Sequence, residues 1–401
     1  MGATPDLVVL SHLRWSFVWQ RPQHLVTRLA TVRSAAGART WFVEEPHATS
    51  DVDRPQLRTE QRDEVTRVWL EVPAGNGVPE GRLDFAVPAA EDYADRLREL
   101  LTAHSAEPHG PLVGPPTPAP DVWLYTPMAL DIAEALEPGL IVYDVMDDLA
   151  SFAKAPAGLK LRQRRTLRIA DVVLAGGRSL HASVAAHRPD VHLFPSGVDS
   201  PHYARSRALR RRRVPRPDRP VAGFVGVVDE RLDGELLGEV ARLLPEWQIQ
   251  LVGPVADFKI DPATLPSAPN LTYLGQREYE QLPGVMAGFD VAIMPFALNE
   301  ATRSISPTKT MEYLAAGLPV VSRPVPDVVA DFADLVHVAA TPEEFAVACR
   351  SALTEPLSVR DRLLRRIEPR YQWDDIARRI SAILDDAAHR SVNRQSADAS
   401  A

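Results

Sequence analysis

The sequence predicts an α/β chain: two Rossmann-like, doubly wound parallel-sheet domains facing each other across a cleft. Three observations carry this. Short apolar runs alternate with helical patterns almost from end to end, as strands covered on both faces by helices require. The 401 residues are 45% hydrophobic and 24% charged, enough apolar material for two cores of roughly 170–200 residues each. Near the middle, the stretch 198–219 (VDSPHYARSRALRRRRVPRPDR) breaks the alternation with seven arginines between Arg205 and Arg216 and with prolines. It reads as a basic linker.

In the first half the strand candidates are 6–11, 40–45, 65–72, 121–126, 139–145, 171–177 and 191–197. In the second half they are 220–228, 247–253, 270–275, 289–296, 318–322 and 333–339. Each is a Val/Ile/Leu-rich run of the length strands favour. Helices are expected at Pro22–Val32, Glu91–Ala103, Ala157–Ala170, Leu232–Leu244, Tyr279–Ala287 and Lys309–Ala316. The proline-rich stretch 104–120 reads as a loop, and the polar tail 391–401 as disordered. The domains then run 1–197 and 220–370, with a helix at 371–390 returning to the N-terminal unit.

Composition removes several functions. One cysteine, Cys349, can form neither an internal disulfide nor a zinc site built on cysteine spacing, and its helical setting FAVACRSAL suits a buried apolar residue. A net charge of −8 argues against nucleic acid as partner. The start, MGATPDLVVLSH, has no basic stretch before its apolar run, so a secretory leader is not expected. No run approaches the ~18 apolar residues of a membrane span. A cytoplasmic protein is expected, with peripheral contact at the inner face of the cell membrane. The helix LKLRQRRTLRIA (159–170) and the arginines of 205–216 supply cations for anionic lipid; the plainer reading is a solvated helix face.

The most informative segment is 289–322, FDVAIMPFALNEATRSISPTKTMEYLAAGLPVVS. A strand ends at Phe296 and a polar loop follows. A helix opens at Ser306 and Pro307, a cap residue followed by proline. Gly317 closes it before the next strand. Lys309 in the first turn opposes the helix dipole by roughly 0.3–1 kcal/mol, and the first-turn N–H groups want acceptors. An anion such as a phosphate answers both, with Arg303 a second cation; otherwise Lys309 points into water. Glu312, three residues on, shares its face. It can accept two hydrogen bonds from a vicinal diol, or simply pair with Lys309.

PTKTMEYLAAGLPVVS resembles the donor-binding signature of GT-B glycosyltransferases of the family-4-like type (glycosyl transferases group 1): Glu, seven residues, Glu, then Gly-x-Pro-Val-Val. Glu312 aligns with the second glutamate, followed by Gly317, Pro319, Val320 and Val321. FPSGVDSPHY (194–203), FVGVVDERLDGELL (224–237) and 270–296 resemble further family segments in the same order. SHLRWSFVWQRPQHLVTRLA (11–30) and YDVMDDLASF (143–152) are similar to a bacterial subgroup that includes teichuronic-acid and related cell-envelope transferases. The resemblance reaches to about residue 385. It implies a nucleotide sugar as donor substrate, UDP favoured, with Glu312 on the ribose and Lys309, Ser306 and Thr308 at the pyrophosphate. The acceptor is expected to be a sugar, polysaccharide or lipid-linked glycan. One position departs: eight residues before Glu312 stands Ser304, not glutamate, and Glu300 is four residues off. The retaining outcome therefore does not carry over, and Ser304 or the backbone of Ile305–Ser306 is left as the sugar contact.

No resident cofactor or metal is expected, since no Asp-x-Asp pattern occurs in a loop suited to one. The leaving pyrophosphate is to be stabilised by Lys309, the helix start, Arg303 and the Gly226 turn, with the base lying along Gly275–Glu278. An inverting route needs a general base on the N-terminal domain. Asp147 and Asp148, after the strand ending at Val145, are the candidates; capping and solvation are their bland roles. His12, ending the first strand, is a further catalytic candidate. Trp15 and Trp19 can stack on a sugar or pack their own loop, and Arg21 can touch phosphate or acceptor. The competing readings are a non-catalytic nucleotide-sugar-binding scaffold and, behind it, a UDP-sugar 2-epimerase. No Gly-x-Gly-x-x-Gly follows the first strand and no P-loop occurs.

Overall fold

In the computed structural model the apolar runs become the inner strands of two separate sheets. It describes residues 3–398 apart from 76, 106–117, 152–154, 157, 213–218, 257–264, 307 and 357–370; the side chains of 105 and 391–398 are likewise outside the description. Most of the proline-rich loop, Pro307 and the second half of the arginine run thus lie outside the described residues.

The N-terminal unit runs β1 (Leu7–Ser11), α1 (Arg21–Ala35), β2 (Thr40–Glu44), β3 (His47–Thr49), β4 (Gln56–Arg62), β5 (Val65–Pro73) and β6 (Gly81–Arg82). It continues with α2 (Tyr93–Ser105), β7 (Asp121–Leu124), α3 (Leu130–Ala135), β8 (Leu140–Val145), α4 (Leu159–Ile169), β9 (Val172–Ala175), α5 (Arg178–Ala185) and β10 (His192–Leu193). After α6 (Ser200–Arg211) the second unit runs β11 (Val221–Val225), α7 (Gly234–Leu243), β12 (Gln248–Val252), β13 (Leu271–Tyr273), α8 (Leu282–Ala287) and β14 (Val291–Met294). Then come α9 (Glu300–Arg303), α10 (Thr308–Ala315), β15 (Val320–Ser322), α11 (Pro326–Phe332), β16 (His337–Val338), α12 (Pro342–Leu353) and α13 (Trp373–Asp398).

The first sheet has the order β10-β9-β8-β7-β1-β2-β5-β3-β6, with β4 beside β5; the second has the order β13-β12-β11-β14-β15-β16. Every pairing in the second sheet is parallel. The first is parallel through its centre, and at one side β4 pairs β5 and β6 pairs β3 antiparallel. A short turn suffices to join antiparallel neighbours, and here it uses Asp63 at φ 48°. The strand β4 (QLRTEQR) is polar and largely exposed, so it shows no apolar run.

One apolar core surrounds the second sheet and two cover the faces of the first. Cys349 is buried in the second unit, and burial pushes its thiol up to about 12.

Two expectations are corrected. Within the stretch 198–219, expected as a linker, residues 200–211 form the helix α6. Asp199 caps it by accepting from His202 N at 3.1 Å. Its inner face is Tyr203, Ser206 and Arg210, with little apolar pattern to read. Arg210 donates to the carbonyls of Gly317 and Met286 at 3.1 and 3.0 Å, tying α6 to the ends of α10 and α8. The tail is the other correction: α13 runs on to Asp398, since no glycine or proline stops it. Trp373, Ile376, Ala377, Ile380 and Leu384 form a helical stripe in the core beneath β1, β8 and β9.

The chain thus crosses between units twice, at Val198 and near Gln372. The crossings touch, with Val198 N donating to Tyr371 O at 2.7 Å. Gly197 permits this approach, because a Cβ there would sit 2.7 Å from Tyr371 O. Among the described residues no helix is long and apolar enough to cross a membrane.

Candidate functional site

Parallel strands deliver their carboxyl ends to one edge, and ligands bind there. Both sheets turn that edge toward a shared cleft. From the second unit, β11 and β12 end in Gly226 and Gly253, both on the cleft wall. Gly253 has φ +147°, and a Cβ on it would lie 1.9 Å from Gly226 O. Two strand ends can approach so closely only with glycine there. Gly253 N donates to Gly275 O at 3.0 Å; Gly275 itself lies behind the wall, while Gln276, Arg277 and Glu278 line it.

α10 enters the cleft beside these turns. It is docked by Tyr313, whose hydroxyl accepts from Val225 N at 2.8 Å. Ser306, Thr308, Lys309 and Glu312 all face the cleft. Lys309 Nζ donates to Glu312 Oε2 at 2.9 Å, and Glu312 is 3% exposed. The Ser306 hydroxyl is buried and makes no hydrogen bond among the described residues. A buried hydroxyl without a partner is costly, and a phosphate oxygen would satisfy it. Arg303 and Ser304 lie outside the wall. Arg303 instead pairs with Glu300 at 3.1 Å on the surface, so its expected anion contact is corrected.

Sequence reasoning missed Arg231, five residues after Gly226. Its guanidinium grips Asp229 at 2.9 and 2.8 Å and lines the cleft. Burial works against its charge, but Asp229 outweighs burial and Asp147 reinforces it, so its pKa is raised. Asp147 therefore faces Arg231 across the cleft from the opposite unit. Asp148 points elsewhere, into a separate groove lined also by Lys160, Arg164 and Glu300. A bend at Asp147, beyond the end of β8, sends the two side chains into different grooves. As a base for this cleft Asp148 is corrected, and His12 also stands outside the wall.

The loop after β1 is held by the buried Glu44, which accepts from Trp15 N at 2.8 Å and pairs with Arg14 and Arg67. Trp15 and Trp19 reach the cleft, but Trp19 stacks on Tyr279 of the other unit, centroids 4.8 Å apart and planes 17° apart. Trp15 lies edge-on to Phe42. One face of Trp19 is thus spent on packing. Arg21 lies in the wall, yet it is 2% exposed and its Nε and Nη1 donate to Asp144 and to Phe194 O at 2.8 and 2.7 Å. Behind the wall, burial and the cations Arg28 and Lys309 hold His24 well below its ordinary pKa. Among the described residues no group of three or more His, Cys, Asp or Glu side chains is placed to hold a metal ion.

Residues 219–355 match the model of a family described as glycosyl transferases group 1. A curated relative, the putative teichuronic acid biosynthesis glycosyltransferase TuaH of Bacillus subtilis strain 168, is 28% identical over 236 residues, 55% of this chain and 58% of the relative. The chain thus spans less than two thirds of that relative's length. Among solved structures, sucrose-phosphate synthase from Thermosynechococcus elongatus superposes with a TM-score of 0.67 at 16% identity, covering 96% of this chain and 99% of that one. Anabaena Alr3699/HepE, solved in complex with UDP and glucose, gives 0.67 at 13%, covering 95% and 100%. An E. coli trehalose-6-phosphate structure bound with UDP-2-fluoro glucose gives 0.60 at 13%, covering 96% and 99%.

Proposed function

We propose that this chain, a GT-B fold whose residues 219–355 form a glycosyl transferases group 1 domain, is a glycosyltransferase. It moves a sugar from a UDP-sugar to a cell-envelope or lipid-linked acceptor. The carrying observation is the first turn of α10: Lys309, Glu312 and the partnerless Ser306 hydroxyl stand together on the cleft wall, facing Arg231 and Asp147. UDP is favoured because two of the similar structures hold UDP or a UDP-sugar. A cell-envelope acceptor is favoured by the teichuronic acid relative.

In this reading Glu312 receives the ribose diol, while Lys309, Ser306, the α10 N–H groups and Arg231 meet the pyrophosphate. The acceptor oxygen bonds to the anomeric carbon, the bond from that carbon to the phosphate oxygen breaks, and the nucleoside diphosphate leaves with the electron pair. On an inverting route Asp147 takes the acceptor's proton. No metal is invoked: the charge developing on the leaving group meets Lys309, Arg231 and the helix start. A lipid-linked acceptor goes with peripheral contact at an anionic membrane through α4.

Thermal shift across a panel of nucleotide sugars tests the donor, since a ligand at 100 times its Kd adds about 2.7 kcal/mol to the folded state. UDP-sugars are expected to raise Tm and to release UDP slowly. Lys309→Ala and Glu312→Ala are expected to lower turnover by about 10²-fold or more. Binding with no turnover under any acceptor would instead favour the scaffold reading, which Ser304 in place of the first glutamate supports.

A further inference from the structure

Arg231 is proposed above to meet the pyrophosphate, and the inference drawn here rests on that reading. It stands in the loop between β11 and α7. Backbone hydrogen bonds stitch this loop to neighbouring strand ends: Val228 N donates to Pro254 O at 2.9 Å, Ala297 N to Arg231 O at 2.8 Å, and Asp233 N to Pro295 O at 2.9 Å. The main chain at Arg231 is thereby fixed. Its long side chain still has many rotamers to lose when it orders.

Asp229 restricts them. It is 2% exposed and stands behind the cleft wall that Arg231 lines. Its Oδ1 accepts from Arg231 N at 3.1 Å and from Nε at 2.9 Å, and its Oδ2 accepts from Nη2 at 2.8 Å. One carboxylate thus holds both ends of the arginine, main chain and guanidinium. The guanidinium is a rigid plane with N–H donors on more than one edge. Asp229 grips it along the Nε–Nη2 edge, so the edge formed by Nη1 and the outer N–H of Nη2 is the one a ligand in the cleft would meet. Two parallel N–H donors of that kind match two oxygens of a phosphate.

We infer that Asp229 is a positioning residue for the donor: it holds the Arg231 guanidinium side-on, so that the far edge is presented ready-ordered to the diphosphate of the nucleotide sugar. Asp229 itself touches no substrate. A cation already ordered loses little freedom when the anion arrives. The carboxylate also acts the other way, because its negative charge repels a nearby phosphate. The two effects oppose each other, and positioning is the larger. Asp229→Asn separates them: the amide oxygen can still accept from Arg231 N and keep the turn, while the charged two-point grip is lost.

The test is isothermal titration of the full-length chain with UDP and, by displacement, with uridine. The wild type, Asp229→Asn, Arg231→Ala and the double variant are compared. The wild type is expected to prefer UDP. Asp229→Asn is expected to weaken UDP about tenfold, the scale of a hydrogen bond to a charged group, while uridine changes little, so the preference shrinks. In the Arg231→Ala background the added Asp229→Asn should leave the preference unchanged. A general loss of fold lowers both affinities together and leaves their ratio intact, so the ratio separates positioning from stability. Should Asp229→Asn not fold, Arg231→Lys takes its place with the same expected loss, since it keeps the charge and cannot form the two-point grip. An unchanged or increased preference for UDP in Asp229→Asn, or in Arg231→Lys in its place, while Arg231→Ala loses it, overturns this inference alone and leaves Asp229 a mere counter-charge. Retention of the preference by Arg231→Ala overturns the pyrophosphate reading of Arg231 and this inference with it.

Discussion

Glu45 shows what one buried carboxyl does to this protein. It follows β2 at the ligand edge of the first sheet and is 6% exposed. Burial pushes it up to about 7, against the pull of its partner Arg82 and with Asp84 adding to the rise. The unfolded chain ionises this group near 4.5, so between 4.5 and 7 the folded state holds the extra proton. Stability from this group is complete below 4.5 and is lost as pH rises through 7, by about 3 kcal/mol. Glu45→Gln keeps the shape and removes the titration. Its Tm, taken relative to the wild type, should climb by a few degrees between pH 5 and pH 8; parallel curves would refute the assignment. Lys309 and Glu312 were legible residue by residue, because three positions on a helix always bring side chains to one face. Arg231 was not, because its place opposite Asp147 depends on two strand ends far apart in sequence.

Among the elements, the two basic stretches separate once packing is known. α6 is a brace, with Arg210 engaged by the carbonyls of Gly317 and Met286 and His202 of its first turn packed behind Tyr279 of the cleft wall. α4 is divided. Arg162 and Arg165 are paired with Asp131 and Glu134, whereas Lys160, Arg164 and Arg168 form no ion pair among the described residues. Leu161 beside them is 71% exposed. Three cations around an exposed leucine suit an anionic bilayer at about 1 kcal/mol per cation near the surface. Changing Lys160, Arg164 and Arg168 to Gln should abolish sedimentation with phosphatidylglycerol-containing liposomes, while Arg162→Gln should leave it intact. Equal sedimentation of the triple variant and the wild type removes the membrane contact. The helix α6 escaped sequence reading because its inner face is built from Tyr203, Ser206 and Arg210, which leave no apolar stripe to read.

At the scale of the whole molecule, the cleft is held by contacts on both sides. On one side Gln276 Nε2 donates to Phe17 O at 2.6 Å and Trp19 stacks on Tyr279. Elsewhere along the junction, Asp327 at the start of α11 accepts from Ser179 N at 3.1 Å and from the Ser179 hydroxyl, and Arg178 pairs with Asp331. Asp327 is 2% exposed and caps the first turn of α5 from the other unit. Asp327→Ala leaves those donors unpaired, a loss of about 1–3 kcal/mol in the contact between units. The lobes should then sample wider separations, seen as a larger radius of gyration in small-angle scattering. An unchanged scattering curve would show that the double crossing and the remaining contacts set the spacing without Asp327.

The order of residues alone determined the two α/β units, their thirteen expected strands and the first turn of α10 carrying its cation and carboxylate. These follow from local rules: strand runs of apolar residues, helical spacing, and capping at chain reversals. Tertiary structure decided the rest. It chose Asp147 over Asp148 for the cleft, spent one face of Trp19 on Tyr279, turned a supposed linker into a brace behind Tyr279, and added polar edge strands to the first sheet. Those outcomes depend on which surfaces meet across long stretches of chain. That is settled by the joint burial of many side chains and not by the neighbours of any one.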